Sequence, residues 1–165
     1  MPEGALVVLI GAPGAGKSRT GRRVARLLGA PVIDTDKEIV AGHGPIPKIF
    51  AVHGEAYFRR LERAAVERAL REPAVVTLGG GAVIDPDTQA DLAGYPVVQL
   101  TMSHAAARER IGGAKRPLAR DPEAWARLVA QRRPIYDRLA ALTIDTSEQS
   151  LDDVAQQIVH WLEHR

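Results

Sequence analysis

Cysteine is absent from the 165 residues, which excludes a disulfide framework, a thiolate zinc site and a cysteine nucleophile. No apolar run approaches the length of a membrane span. Met1-Pro2-Glu3-Gly4 leads straight into an apolar segment, without the basic stretch and cleavage site of a secretory leader, so a cytoplasmic location is expected. Lysine is scarce, with four residues, and no Asn-Lys-x-Asp guanine reader of a regulatory GTPase is present. No hydrophobic strand ends in the Asp-Glu pair of a motor-type ATPase. The formal charge is only +2, and the arginines are spread along helical patterns beside Glu and Asp. Nucleic-acid binders more often gather cations into a stripe with aromatics between them, so no nucleic-acid partner is expected.

What remains is a chain with 45% hydrophobic residues, enough for a real core, in which apolar runs alternate with helical patterns. Ala5–Ile10 is a continuous apolar run of the kind buried on both faces of a parallel sheet. Strands are also expected at 31–34, 74–78, 96–100 and 142–145. Helices are expected at 16–28, in segments from 36 to about 71, at 103–111, at 122–139 and from 151. The pattern predicts an α/β fold, a three-layer sandwich with a five-stranded parallel sheet flanked by helices, forming one domain over 1–165. Gly112 to Arg120 is glycine-rich and charged between two helical patterns, and a mobile lid is expected there.

Gly11-Ala12-Pro13-Gly14-Ala15-Gly16-Lys17-Ser18 fits G-x-x-x-x-G-K-[ST] in full, after a strand and at the start of a helix. Glycines allow backbone N–H groups to turn toward phosphate oxygens, and the helix N-terminus adds its dipole. Lys17 is the group expected to reach the β- and γ-phosphates, and Ser18 offers a hydroxyl to Mg²⁺. The motif predicts nucleotide binding through Gly14, Ala15, Gly16, Lys17, Ser18 and Arg19 but leaves kinase, NTPase and switch open.

Ligands of open α/β sheets bind beyond the carboxyl ends of the strands. Asp34-Thr35-Asp36 and Gly79-Gly80-Gly81 both lie at such ends, so both face the crevice of the phosphate loop. Two carboxylates two residues apart can divide the labour, one holding a water of the metal shell and one orienting or deprotonating an acceptor hydroxyl. Asp34 or Asp36 can equally serve as the cap of the helix that follows.

With those two segments, Gly54-Glu55-Ala56-Tyr57-Phe58-Arg59-Arg60-Leu61-Glu62, Arg116-Pro117-Leu118 and Arg132-Arg133-Pro134-Ile135-Tyr136 complete a series that resembles shikimate kinase from about Leu6 to the last helix. The resemblance implies a P-loop kinase that moves the γ-phosphate of ATP to the 3-hydroxyl of shikimate with Mg²⁺, a step of chorismate and aromatic amino-acid biosynthesis. It implies Asp36 as the group that takes the leaving proton, with Lys17 and Arg116 stabilising the moving phosphoryl group. It also implies Asp36, Arg59, Arg132 and the backbone at Gly80-Gly81 as the acceptor site. Ser18 and Asp34 would serve the metal, and Arg110 and Arg116 would join the ATP site. ATP and shikimate are the expected partners of a monomer.

The chemistry suits these roles. Phosphoryl transfer depends on positioning and charge stabilisation, and a carboxylate acceptor favours the planar fork of Arg over Lys. Arg59 and Glu62 lie one helical turn apart, so Glu62 can hold Arg59 in place. The chain departs from the family at Arg19, where Thr is usual, and at 41–47, one residue short and carrying two prolines. It also lacks the expected proline in 145–151. A kinase for another small acid or sugar such as gluconate, and a non-catalytic nucleotide-binding module, are the competing readings.

Overall fold

Strand β1 (Val7–Gly11) is buried along its whole length, and its side chains alternate between two cores. Val7 and Leu9 enter one cluster with Val24, Val98, Trp125 and Ile158. Val8 and Ile10 enter the other with Val66, Leu70, Val83 and Tyr136. That two-residue period, with apolar residues at every position, is what a central strand between two helical layers requires. In this computed structural model, which describes residues 3–111 and 121–165, β1 is followed by α1 (Lys17–Leu28) and β2 (Val32–Asp34). Next come α2 (Thr35–His43), α3 (Ile46–His53), α4 (Glu55–Leu70) and β3 (Val75–Thr77). After a 3₁₀ turn (Ala82–Ile84), the chain forms α5 (Pro86–Leu92), β4 (Val97–Thr101) and α6 (His104–Ile111). It continues as α7 (Pro122–Leu139), β5 (Leu142–Asp145) and α8 (Leu151–Glu163).

The sheet runs β2-β3-β1-β4-β5 and every pairing is parallel, as the apolar runs predict. The chain leaves β3, passes over β1 and resumes at β4, so the order reverses at β1. The crevice at such a reversal is where ligands of these sheets bind. Here the phosphate loop leaves β1 beside the glycine run that leaves β3.

Two local details go beyond the sequence expectation. Segment 41–47 is a helix junction: α2 ends at His43, Pro45 caps α3, and Pro47 sits in the first turn, where a missing N–H breaks no bond. Helix α5 went unexpected, although its signal is present. Asp85 accepts hydrogen bonds from Asp87 N at 2.8 Å and Thr88 N at 3.3 Å, with Pro86 at the first helical position.

Helix α5 gives Arg63 a task that an arginine-rich helix conceals. Instead of being solvated, Arg63 donates to Asp91 at 2.6 Å and to Thr88 at 3.1 Å. These bonds tie α4 to α5, and Arg63 lies one turn from Arg59 on α4.

Candidate active site

The phosphate loop bends through Gly14 (φ 85°) and Gly16 (φ 90°), left-handed conformations that a side chain would strain. The first intrahelical bond of α1 is Thr20 N to Gly16 O at 2.8 Å. The N–H groups of Lys17, Ser18 and Arg19 precede it, and such first-turn donors are the ones an anion can use. The Arg19 side chain is exposed, so its part in the cradle is that of its backbone. The Ala15 N–H bonds Ala12 O at 3.2 Å, inside the loop. The Lys17 ammonium donates to Gly11 O at 2.6 Å and to Ala12 O at 3.3 Å, so it lies along the loop's own carbonyls.

Across the crevice, the glycine run is lined by three charged side chains in succession. A Cβ on Gly79 would lie 2.6 Å from Asp36 Oδ1, one on Gly80 3.1 Å from Arg132 Nη1, and one on Gly81 2.5 Å from Arg59 Nη1. A side chain there would force these charged groups to shift. The Tyr136 hydroxyl donates to Gly80 O at 2.6 Å, and burial pushes its phenol up, against the pull of Arg132, so it stays a donor. Pro13 Cγ lies 3.4 Å from the same would-be Cβ on Gly80, so the phosphate loop comes close to the glycine run.

A family profile described as shikimate kinase matches residues 13–163. The chain is 46% identical over 158 residues to the shikimate kinase of Thermobifida fusca, covering 93% of this chain and 92% of that one. It is 44% identical to the shikimate kinase of Mycobacterium avium, with 92% and 90% covered. The chain belongs to the shikimate kinase family. Its fold superposes on the solved shikimate kinase from Acinetobacter baumannii in complex with shikimate with a TM-score of 0.88. That likeness holds at 29% identity, over 98% of this chain and 94% of that one.

For a member of this family, the sequence-predicted residues fall into two groups across one crevice. Lys17, Ser18 and Asp34 lie by the phosphate loop, and Asp36, Arg59 and Arg132 lie along the glycine run with Gly80 and Gly81. Arg116 and the expected lid lie outside the described residues. Of the two aspartates, Asp34 is the cap of α2, accepting from Lys37 N at 3.2 Å, and Asp36 sits in the first turn against Gly79. Asp34 also receives the Ser18 hydroxyl at 2.5 Å, the length of a charge-assisted bond.

Ser18 and Asp34 fit a magnesium ion. Thr77 pairs in register with Asp34, and its hydroxyl is buried without a hydrogen-bond partner. The Ser18 hydroxyl and the Asp34 carboxylate are both oxygen donors, the ligand type Mg²⁺ and its waters prefer. Thr77 went unnoticed in the sequence because nothing local marks it; only the β2–β3 register brings it beside Asp34.

Arg110, expected at the ATP site, lies against the loop that follows β5. Its guanidinium bonds Thr146 through both the hydroxyl, at 3.1 Å, and the backbone carbonyl, and it also reaches Ser147 O at 3.4 Å. It braces the 145–151 loop, where the family's proline is missing. Asp145 assists: the Ser147 side chain, and then Ser147 N at 2.8 Å, hydrogen-bond its carboxyl and hold it below the usual range.

The electrostatic centre of the glycine-run side is Glu62, 4% exposed and bonded to Arg59 Nη1 at 2.8 Å. Burial raises its carboxyl above the ordinary glutamate value, the Arg59 bond and charge lower it, Asp36 raises it and Arg132 lowers it. The net direction is upward, so the folded state holds a proton that the unfolded chain has already lost. The stability contributed by protonated Glu62 is fully present below the ordinary glutamate pKa. It is lost as pH rises through the raised folded value. Glu62→Gln is therefore expected to flatten the fall in stability between mildly acid and neutral pH. Urea midpoints across that range check this, and parallel curves for the two proteins would count against it.

Proposed function

We propose that this chain transfers the γ-phosphoryl group of ATP to the 3-hydroxyl of shikimate, giving shikimate 3-phosphate and ADP. The observation that carries the reading is the glycine run, with Asp36, Arg132 and Arg59 packed one after another against Gly79, Gly80 and Gly81. A neutral acceptor needs no pair of convergent guanidiniums, whereas a carboxylate is held best by their planar forks. The complex of the A. baumannii neighbour with shikimate supports the same acceptor.

In this reading Arg59 and Arg132 bind the acceptor carboxylate, and the backbone at Gly80-Gly81 lies against the ring. Asp36 orients the 3-hydroxyl and accepts its proton as the oxygen forms its bond to the γ-phosphorus. The bond from that phosphorus to the bridging oxygen breaks, and its electron pair leaves with ADP. Lys17 turns from the loop carbonyls to the transferring group, where charge stabilisation is worth most. Arg116, outside the described residues, joins it there in this reading. Bound at Ser18 and Asp34, Mg²⁺ supplies charge neutralisation of the phosphate oxygens. Arg110 borders the base side of the nucleotide.

In this reading the chain acts as a monomer and as one domain. Among the described residues no helix is long and apolar enough to cross a membrane, and a cytoplasmic location fits a biosynthetic kinase.

ADP release with ATP and Mg²⁺, run in parallel with shikimate, gluconate and no acceptor, tests this reading. Release that depends on shikimate is expected. Release with gluconate instead, or equally without acceptor, overturns the substrate, and silence in all arms favours a non-catalytic module.

A further inference from the structure

Helix α7 reaches both halves of the crevice. Near its start the Trp125 indole N–H donates to Pro13 O at 2.8 Å, across 112 residues of sequence, and Trp125 is 3% exposed. It packs in the same core as Ala12 and Ala15 of the phosphate loop. Further along, Arg132 and Tyr136 meet Gly80 on the acceptor wall. Trp125 and Arg132 are seven residues apart and Arg132 and Tyr136 four, so all three lie on one face of the helix. One helix, with Pro134 inside it, thus has the phosphate loop near one end and Arg132 toward the other.

The loop that Trp125 touches is seen in one hydrogen-bonding arrangement, and phosphate binding calls for another. In the one seen, Lys17 bonds Gly11 O and Ala12 O, and the Ala15 N–H bonds Ala12 O. Phosphate oxygens compete for the same ammonium and loop N–H groups, and Pro13 lies inside the stretch that must rearrange. An element whose two states are biased by one ligand can transmit that bias to a second site it also contacts.

We propose that Trp125 is a positioning residue that couples nucleotide occupancy of the phosphate loop to acceptor binding. Its N–H on the Pro13 carbonyl registers α7, and with it Arg132 and the Tyr136–Gly80 bond, to the state of the loop. The inference rests on the phosphotransferase reading above, and it assigns to Trp125 the link between the two substrates. The alternative role is a core tryptophan whose N–H is satisfied by the nearest carbonyl.

Two measurements separate these roles. Trp161 is the other tryptophan, remote from the crevice on α8, so Trp161→Phe leaves Trp125 as the only indole reporter. Its fluorescence is expected to change on addition of Mg·ADP alone, which needs no assumption about the acceptor; an unchanged spectrum overturns the proposal. Shikimate affinity is then measured with and without Mg·ADP. In the protein with Trp125 the nucleotide is expected to tighten shikimate by about fivefold or more, and in Trp125→Phe by less than about twofold. Tyr136→Phe, which breaks the other end of the strut, is expected to lose the same coupling and serves if Trp125→Phe folds poorly. Coupling unchanged in both variants overturns the proposal while shikimate-dependent turnover stands. If turnover proves to use a different acceptor, the same comparison is made with that acceptor.

Discussion

Asp36→Asn is expected to lower kcat by about 10²- to 10⁴-fold, the usual contribution of a positioned base. Asparagine has the shape of aspartate, so the close packing against Gly79 survives, with the first oxygen 2.6 Å from that residue's would-be Cβ. The cap of α2 also survives, because it belongs to Asp34. What the variant lacks is the capacity to take a proton and a negative charge in the first turn of α2, the latter worth about 0.3–1 kcal/mol to helix stability. ATP affinity is expected to stay unchanged, since Lys17, Ser18 and the loop N–H groups lie on the other wall. Turnover by ADP release and nucleotide affinity by titration check the two halves of this expectation. A kcat within a few-fold of the parent would mean that Asp36 only orients the hydroxyl and that the proton leaves by another route.

The parts of this molecule that its sequence made legible are those written contiguously. The phosphate loop needs one strand, one turn and one helix, all within residues 7–28, and the sheet is visible because each strand is an apolar run. Asp34 and Asp36 were both visible, but which one capped α2 was settled by backbone geometry that no residue type specifies. The parts that stayed hidden depend on register or on contacts between distant segments. Thr77 matters only because β3 lies beside β2. Arg63 looked like one more solvated charge until α5 brought Asp91 to it. Trp125 had no readable partner, because Pro13 stands 112 residues away. The three glycines were legible as unusual, but the order in which they face Asp36, Arg132 and Arg59 is a property of the folded crevice alone.

Gly81→Ala tests that order without removing any functional group. At φ −94° and ψ −3° an alanine is at ease, so the backbone itself resists nothing. The added methyl, however, would sit 2.5 Å from Arg59 Nη1, 2.8 Å from Nη2 and 3.0 Å from Cζ, so the guanidinium must move. It is held from behind by buried Glu62 at 2.8 Å and by Glu55 at 3.5 Å, so displacement weakens a charge-assisted bond and turns the fork away from the acceptor. Loss of hydrogen bonds to a carboxylate is worth about 1.5–3 kcal/mol, or roughly 10- to 150-fold in the KM for shikimate. The KM for ATP is expected to hold and kcat to change only a few-fold, because Lys17 and Asp36 are untouched. Arg59→Ala is expected to raise the shikimate KM over the same range by removing the group outright. If Gly81 serves only to seat Arg59, the two changes act on one interaction, and the double variant is no worse than Arg59→Ala alone. Additive losses would instead mean that the methyl obstructs the acceptor ring itself, and that the glycine is there to admit substrate rather than to space the arginine.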